Sequence, residues 1–181
     1  MNVVQPITDK YVINCVKQEL KEKSERDYFI FLCALYTGRR ISDVLSLKVK
    51  DLKGKDEVYV RESKTGKKIH IPINKELKNA CEKYLENRSL HEYIFASPYK
   101  INQPMSRQNF YKILREICEK YGLENIGCHS LRKTFGYHHY KQFKDAAILM
   151  DIFGHADVSI TKRYIGETQA EINKTMKNFT I

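Results

Sequence analysis

The sequence predicts a mostly α-helical domain with one small antiparallel β-hairpin. Apolar residues recur at spacings of three and four along much of the 181-residue chain, which is the period of a helix with one buried face. Alternation typical of strands is confined to two short runs, at 57–63 and 67–73. The chain is long enough to bury a core of its own, and no apolar run is long enough to span a bilayer.

Two helices are predicted at the start of the chain. Thr8 can cap the first, which ends in the charged run KEKSER at 21–26. Its expected buried face consists of Tyr11, Val12, Cys15, Val16 and Leu20. Ser24, with Asp27 three residues later, has the spacing of a capping box and starts the second helix, DYFIFLCALYTG. Because this second helix is apolar nearly all round, we expect it at the centre of the domain.

Gly38 is the predicted end of the central helix. A third helix is expected over RRISDVLSLKVKDL at 39–52. Its inward-facing residues would be Ile41, Val44, Leu45 and Leu47. Arg40 then projects from the junction of two packed helices, which holds a side chain more rigidly than a loop does.

The predicted hairpin pairs EVYVRES with KKIHIPI through the turn sequence SKTGK, which places Lys64 at the tip. Pro72 fits only near a strand end or edge. Asn74 is the expected N-cap of the next helix. The buried face of that helix would be Leu77, Ala80, Cys81, Tyr84 and Leu85.

The second half of the chain begins with a predicted loop at 87–105. A helix then starts at Ser106 and is stopped by Gly122. Its apolar face is Phe110, Ile113, Leu114, Ile117, Cys118 and Tyr121. The stretch 127–166 is predicted as one helical segment, and a short tail helix is expected at about 169–181 with Ile172, Met176 and Phe179 on one face.

Composition favours nucleic acid as the partner. The net charge is +10, and the basic residues do not lie on one amphipathic helix, which argues against an anionic membrane surface. The five cysteines are odd in number and scattered, so they are expected to be reduced, buried residues rather than a disulfide framework. The first residues lack the anatomy of a signal peptide, so a cytoplasmic location is expected.

Four residues near the end of the chain suggest chemistry at a phosphodiester: His129, Arg132, His155 and Tyr164. Planar arginine forks match phosphate oxygens and keep their charge, so a tyrosine hydroxyl held beside them has a phosphodiester as its target. Tyr164 is the candidate nucleophile. Each residue alone also has an ordinary explanation: an arginine can pair with a carboxylate such as Asp43, and a histidine or tyrosine can belong to the core.

Five motifs of the chain resemble the box motifs of the tyrosine recombinase (phage integrase) family, in the order that family uses. They are TGRRISDVLSL at 37–47, SKTGKKIHIPI at 63–73, HSLR at 129–132, FGH at 153–155 and RYIG at 163–166. All six positions that the family uses chemically have a match: Arg40, Lys64, His129, Arg132, His155 and Tyr164. Arg39 and Phe153 depart from the family pattern, which usually has an apolar residue and a leucine there. The resemblance implies the family's catalytic-domain fold over about 8–166.

The resemblance also implies roles. Tyr164 would form a 3′-phosphotyrosyl intermediate, while Arg40 and Arg132 clamp the two non-bridging oxygens. His129 could move a proton or donate to a phosphate oxygen, and His155 would donate to the same phosphate.

Lys64 is the expected general acid for the leaving 5′-oxygen, with Lys67 and Lys68 as alternatives. A phosphotyrosyl bond conserves the energy of the broken phosphodiester, so ATP is not needed. We expect no metal and no other cofactor.

The expected partner is double-stranded DNA, bound by a homo-oligomer that is a tetramer on DNA and a monomer alone. The predicted DNA contacts are Arg107, Gln108, Lys67, Lys68 and Lys133. Residues 1–181 are expected to form a single catalytic domain, without the separate N-terminal DNA-clamping domain of the family. The tail helix at about 169–181 could pack on a neighbouring protomer or on its own domain.

Three alternatives remain open at this point. A type IB topoisomerase would use the same residues to relax supercoils. A non-enzymatic DNA-binding module would need the basic charge but not the placement of the histidines and Tyr164. A zinc site could recruit Cys128, His129 and His155, although their spacing is not that of typical ligands.

Overall fold

The computed structural model has the predicted class, mostly helical with one two-stranded antiparallel sheet. It describes residues 4–61, 66, 68–99, 101, 103–155, 161 and 176–177. The elements are α1 (Lys10–Lys23), α2 (Glu25–Thr37), α3 (Ile41–Leu45), α4 (Val49–Leu52), β1 (Glu57–Arg61), β2 (Lys68–Pro72), α5 (Lys75–Leu85), α6 (Arg107–Lys120), α7 (Cys128–Phe143) and α8 (Ala146–Phe153). The chain divides into two compact units, Met1–Phe135 and Gly136–Ile181, which are described separately.

Helix α1 begins one residue later than predicted. Its N-cap is Asp9, whose side chain accepts a hydrogen bond from the Tyr11 amide at 2.7 Å, so the prediction of Thr8 as cap is wrong. Tyr11 is 73% exposed and does not belong to the buried face. That face is formed by Ile13, Val16 and Leu20, at i, i+3 and i+7, and Tyr11 lies two residues, or about 200° of rotation, away from Ile13.

Helix α2 is the centre of the first unit, as predicted. The Ser24 hydroxyl accepts from the Asp27 amide at 3.3 Å and starts the helix. Its buried residues occupy all sides of the helix, including the consecutive run Phe29–Leu35. Helices α1, α3 and α5 pack against it. Because α2 is packed on all sides, the turn that follows it at Gly38 is held in place.

The prediction of one helix over 39–52 is wrong, because the chain forms two short helices there. A neighbouring loop takes the backbone groups that a continuous helix would use: Val49 N donates to Glu92 O at 3.1 Å and Lys50 N to Leu90 O at 3.0 Å. The Asp51 carboxylate accepts from the Lys48 amide at 2.8 Å and starts α4 anew. These bonds are long-range in sequence, so helical periodicity alone does not reveal them.

The hairpin has the predicted pairing. Its register runs from Glu57 opposite Pro72 to Arg61 opposite Lys68, so Pro72 lies at a strand end. Val58 and Val60 are buried, which fixes the inward face of β1. The tip residues 62–65 and 67, which include the predicted Lys64 and Lys67, lie outside the described part of the chain.

Helices α5 and α6 also confirm their predictions. Asn74 caps α5 by accepting from the Leu77 amide at 2.8 Å, and Ser106 caps α6 by accepting from the Asn109 amide at 3.2 Å. The buried residues of α6 are Phe110, Leu114, Ile117 and Cys118. The buried face of α6 therefore orients its other side, and its first turn, toward solvent.

The stretch 127–166 is not one helical segment. Helix α7 ends at Phe143, Lys144 has a positive φ of 57°, and the Asp145 carboxylate caps α8 by accepting from the amides of Ala147 and Ile148, each at 2.9 Å. Of the predicted tail helix, Met176 and Lys177 are described and are helical and exposed, while its other residues lie outside the described ranges. No helix in the described residues is long and apolar enough to cross a bilayer.

Candidate active site

The turn between α2 and α3 carries Arg40. Gly38 ends α2 in the left-handed conformation with φ 61°, and Thr37 Oγ1 donates to Cys33 O at 2.6 Å. Arg39 is 1% exposed, and its Nε donates to Thr37 O at 3.3 Å. The Arg40 carbonyl starts α3 by accepting from Asp43 N at 2.9 Å. The backbone that presents Arg40 is therefore hydrogen-bonded on both sides.

The first turn of α7 carries His129 and Arg132. Gly127 N donates to the Ser130 hydroxyl at 3.0 Å, and Ser130 N donates back to Gly127 O at 2.8 Å, which fixes the start of the helix. His129 and Arg132 are three residues apart and so share a helix face. Arg132 is 2% exposed and donates from Nη1 to Gly38 O at 3.1 Å. Both predicted arginines are thus tied to the same turn.

His129 lies among positive charges. Its pKa is lowered, first because burial disfavours the imidazolium and then because four cations repel it: Arg132, Arg107, Arg40 and Lys133. His129 is nevertheless an exposed residue, so its burial is only partial. A patch of positive charge around a histidine whose pKa is lowered has the character of an anion site.

Arg107 and Gln108 begin α6 and are exposed. The Arg107 carbonyl lies 3.8 Å from Cys128 Sγ, so the start of α6 is adjacent to the start of α7. Burial raises the pKa of the Cys128 thiol to about 11, which keeps it protonated. Cys128 therefore acts as a packing residue, and Arg107 joins the charged patch around His129.

Lys133 has an additional structural contact. Its Nζ donates to Val4 O at 2.8 Å, and burial lowers its pKa. The neighbouring backbone is bound in the same way, because Ile7 N donates to Thr134 Oγ1 at 2.8 Å. We call residues 4–7 the N-terminal strap. The contact with Val4 favours a structural role for Lys133, and its predicted DNA contact stays a prediction.

His155 belongs to the second unit. It follows Gly154, which ends α8 with φ 62°, and its Nδ1 lies 2.9 Å from Thr161 Oγ1. Its ring packs on Phe153 with centroids 5.1 Å apart. Thr161 is fully buried, so this hydrogen bond holds the imidazole in one orientation.

The structure therefore brings Arg40, His129 and Arg132 together with Arg107. Lys64, Lys67 and the nucleophile candidate Tyr164 lie outside the described residues. Lys68 is exposed at the start of β2. Among the described residues, no three His, Cys, Asp or Glu side chains form a group that could hold a metal ion.

Sequence reasoning missed the contacts that hold this site in place. Ser130 fixes the start of α7, and Gly38 accepts the bond from Arg132. The position of Ser130, three residues after Gly127, is a local capping signal that could have revealed it. The contact to Gly38 joins residues 94 positions apart and has no local signal.

Comparisons with known proteins assign the chain to a family. Residues 8–171 match the pattern of the phage integrase family. The chain is 47% identical to the probable integrase/recombinase YoeC of Bacillus subtilis (strain 168) over 92% of this chain and 91% of that protein. It is 29% identical to tyrosine recombinase XerD of Listeria monocytogenes serotype 4b (strain F2365) over 85% of this chain and 54% of XerD. It thus spans nearly all of YoeC but about half of XerD.

Solved structures share the fold. The crystal structure of XerA recombinase superposes with a TM-score of 0.78 at 22% identity, covering 98% of this chain and 65% of XerA. XerH site-specific recombinase bound to difH substrate, in a pre-cleavage complex, gives a TM-score of 0.75 at 16% identity, covering 97% of this chain and 55% of XerH. At these identities the likeness establishes the fold alone.

The chain belongs to the phage integrase family and is an enzyme of the tyrosine recombinase class. The predicted family, fold class and enzyme class are therefore confirmed.

His129 should make the free protein more sensitive to acid. Because its pKa is lowered on folding, its contribution to stability is present above the ordinary pKa of about 6.5 and is lost as the pH falls through the folded pKa. Thermal unfolding should therefore show a larger fall in Tm between about pH 7.5 and about pH 5 for the wild type than for His129→Gln. Partial burial makes the expected difference modest. Equal falls would contradict the assigned environment.

Proposed function

We propose that this chain is the catalytic domain that cleaves and rejoins double-stranded DNA in site-specific recombination, with Tyr164 as the nucleophile. The observation that carries the proposal is the clustering of Arg40, Arg107 and Arg132 around His129. Arg132 donates to the turn that presents Arg40, the start of α6 with Arg107 adjoins the start of α7, and all three cations lower the pKa of His129. Guanidinium groups stay charged at any working pH and bind phosphate oxygens in a fixed geometry. A built cluster of this kind fits a phosphodiester better than a carboxylate or a neutral substrate.

The first step transfers a phosphoryl group from DNA to protein. The Tyr164 oxygen attacks the phosphorus, the bond between phosphorus and the 5′-oxygen breaks, and a 3′-phosphotyrosyl bond forms. Arg40 and Arg132 hold the non-bridging oxygens and stabilise the charge that develops on them. Lys64 gives a proton to the leaving 5′-oxygen, and the tyrosine proton passes to the imidazole of His129.

The second step reverses the first with a new strand. A 5′-hydroxyl of the partner DNA attacks the phosphotyrosyl phosphorus, the tyrosine leaves, and a phosphodiester is restored. One bond is exchanged for another of similar energy in each step, so neither step requires ATP.

The two histidines take supporting roles at the phosphate. The lowered pKa of His129 favours the neutral imidazole, which can donate from one ring nitrogen and accept at the other. His155 is proposed to donate to the same phosphate, and the contact of its Nδ1 with Thr161 Oγ1 orients its ring. Neither role requires a metal ion or another cofactor.

The partners follow from the chemistry. XerH has been solved bound to its difH substrate, and a lambda integrase dimer has been solved on a COC′ core site, which supports DNA as the partner of this chain. Recombination joins two duplexes, so we propose assembly into a tetramer on DNA from protomers that are monomers in its absence. Because its substrate would be chromosomal or mobile-element DNA, we place the protein in the bacterial cytoplasm.

A nicked duplex tests the proposal directly. The nick lies close enough to the cleavage point that a short fragment diffuses away after cleavage, which traps the covalent intermediate. A protein–DNA adduct on a denaturing gel, formed equally with and without EDTA, is the expected result. A protein that binds the duplex but gives no adduct would contradict the proposed cleavage by Tyr164. Relaxation of supercoiled plasmid with no joining of a partner strand would favour the topoisomerase alternative.

Arg107 offers a test of DNA contact. It lies in the first turn of α6, where backbone amides and the helix dipole also favour phosphate. Arg107→Ala is expected to weaken binding and to reduce the slope of log K against log salt by about 0.9, the value for one phosphate contact on duplex DNA. The measurement is a salt titration of binding by fluorescence anisotropy.

Arg115 provides the matched control on the same helix. It is exposed, but its Nε is engaged by Glu119 at 2.6 Å, and it lies two turns further along α6. Arg115→Ala should leave both affinity and salt slope unchanged. If the two variants behave alike, the start of α6 is not a DNA contact.

A further inference from the structure

Two side chains of α7 enclose the peptide of Gly38. Arg132 donates to the Gly38 carbonyl at 3.1 Å, and Phe135, three residues later on the same face, lies over the α-carbon. A Cβ placed on Gly38 would lie 2.6, 2.9 and 3.0 Å from Cδ1, Cγ and Cε1 of the Phe135 ring. Such distances are at or inside the limit for a Cβ contact, so the ring occupies the space that a side chain would fill.

The contact is specific to Gly38 and does not follow from backbone conformation. Gly54 and Gly122 have similar positive φ values, 69° and 67°, but a Cβ on either would meet nothing within 4 Å. At those two positions glycine serves the backbone alone. At Gly38 it also allows α7 to approach the turn that presents Arg40.

We propose that Phe135 is a positioning residue that sets the separation of the Arg40 and Arg132 guanidinium groups. Arg40 is two residues beyond Gly38 on a hydrogen-bonded turn, and Arg132 is one helical turn before Phe135. The hydrogen bond to Gly38 fixes the direction of Arg132, and the ring fixes how closely the turn approaches α7. The inference rests on the proposed function of the two arginines.

Loss of the ring should affect chemistry more than binding. Two forks that grip the oxygens of one phosphate must keep their spacing, and a displacement of about 1 Å can cost on the order of 100-fold in rate. DNA affinity depends on many phosphate contacts and is little changed by such a shift. The expected signature is therefore a slower chemical step at saturating DNA.

The first experiment measures single-turnover formation of the adduct on the nicked duplex at saturating protein, at temperatures where each variant is folded. Phe135→Ala should slow adduct formation by about 10- to 100-fold, and Phe135→Leu by less, with the Kd for DNA within about twofold of wild type. Phe95→Leu is the control, because Phe95 is fully buried but lies outside the site. It should lower Tm without changing the rate.

Three results would overturn the proposal. They are an unchanged rate in Phe135→Ala, an equal loss of rate in the Phe95 control, and a raised Kd with the rate at saturation unchanged. If Phe135→Ala does not fold, Phe135→Leu decides by the same criteria. A wild-type protein that gives no adduct would instead count against the proposed function.

A double-mutant cycle measured by Tm tests the packing without an activity assay. Gly54→Ala, which meets only backbone strain, should lower Tm by a few degrees, about 2–4 °C per kcal/mol for a chain of this size. Gly38→Ala should lower Tm by more, because it also meets the ring. In the double variant Gly38→Ala/Phe135→Ala the clash is gone, so its Tm should be higher than the sum of the single losses predicts. Additive losses would show that the ring does not fill the space, and the proposal would fail.

Discussion

Replacing Tyr164 with phenylalanine should abolish the covalent adduct while DNA binding persists. The phenyl ring keeps the packing and removes only the oxygen that would attack phosphorus. Because the proposed reaction has no other route to a phosphotyrosyl bond, the expected loss is complete within the sensitivity of the gel. Adduct on the nicked duplex and affinity by anisotropy are measured on the same preparation.

Tyr99 supplies the control for loss of a tyrosine hydroxyl. It is 83% exposed, so Tyr99→Phe removes an oxygen without disturbing the core. This variant should give the adduct at the wild-type rate. An adduct that persists in Tyr164→Phe would show that another residue is the nucleophile. Mapping the peptide that carries the DNA adduct would identify that residue.

Arg132→Lys should lower the rate of adduct formation by about 100- to 1,000-fold, which is the usual effect of losing one donor to a developing oxyanion. Lysine keeps the charge but loses the planar fork that both binds phosphate and reaches the Gly38 carbonyl. Some loss of Tm is expected as well, because a buried carbonyl loses a charged donor. Single-turnover rates on fully folded protein separate the two effects.

Arg88→Lys is the matched control for that loss of stability. Arg88 also donates to backbone carbonyls, to Ile94 O at 2.6 Å and Tyr93 O at 2.9 Å, but these belong to the loop before α6. Its replacement should lower Tm and leave the rate per folded molecule unchanged. Equal effects of the two variants on rate would mean that Arg132 acts through stability alone.

Local signals in the sequence predict α2, α5 and α6 correctly. The apolar face of α6 and the caps Asn74 and Ser106 depend on residues within one or two turns, and the structure has all three. The all-round apolar pattern of α2 likewise predicted a central helix. The predicted buried face of α1 wrongly includes Tyr11. Its spacing fits the apolar pattern of the helix, but the side chain is exposed.

Contacts between distant residues could not be predicted. The break at Ser46 within the expected helix depends on a loop more than 40 residues later, which takes the amides of Val49 and Lys50. In the candidate site, too, some residues have a local sequence signal and others do not. Motif order indicated Arg40, His129 and Arg132, whereas the contact of Phe135 with Gly38 is a matter of packing and leaves no pattern in either segment.

The N-terminal strap links the residues before α1 to the helix that carries Arg132. The strap backbone makes three hydrogen bonds to α7 and to the loop before it. Gln5 N donates to Asn125 O at 3.1 Å and Ile7 N donates to Thr134 Oγ1, while Val4 O accepts from Lys133 Nζ. A displacement of the N-terminal strap would therefore act on α7 within one turn of Arg132. In this fold, the backbone ahead of α1 and the alignment of Arg132 depend on the same helical turn, so a change in residues 4–7 is expected to disturb both.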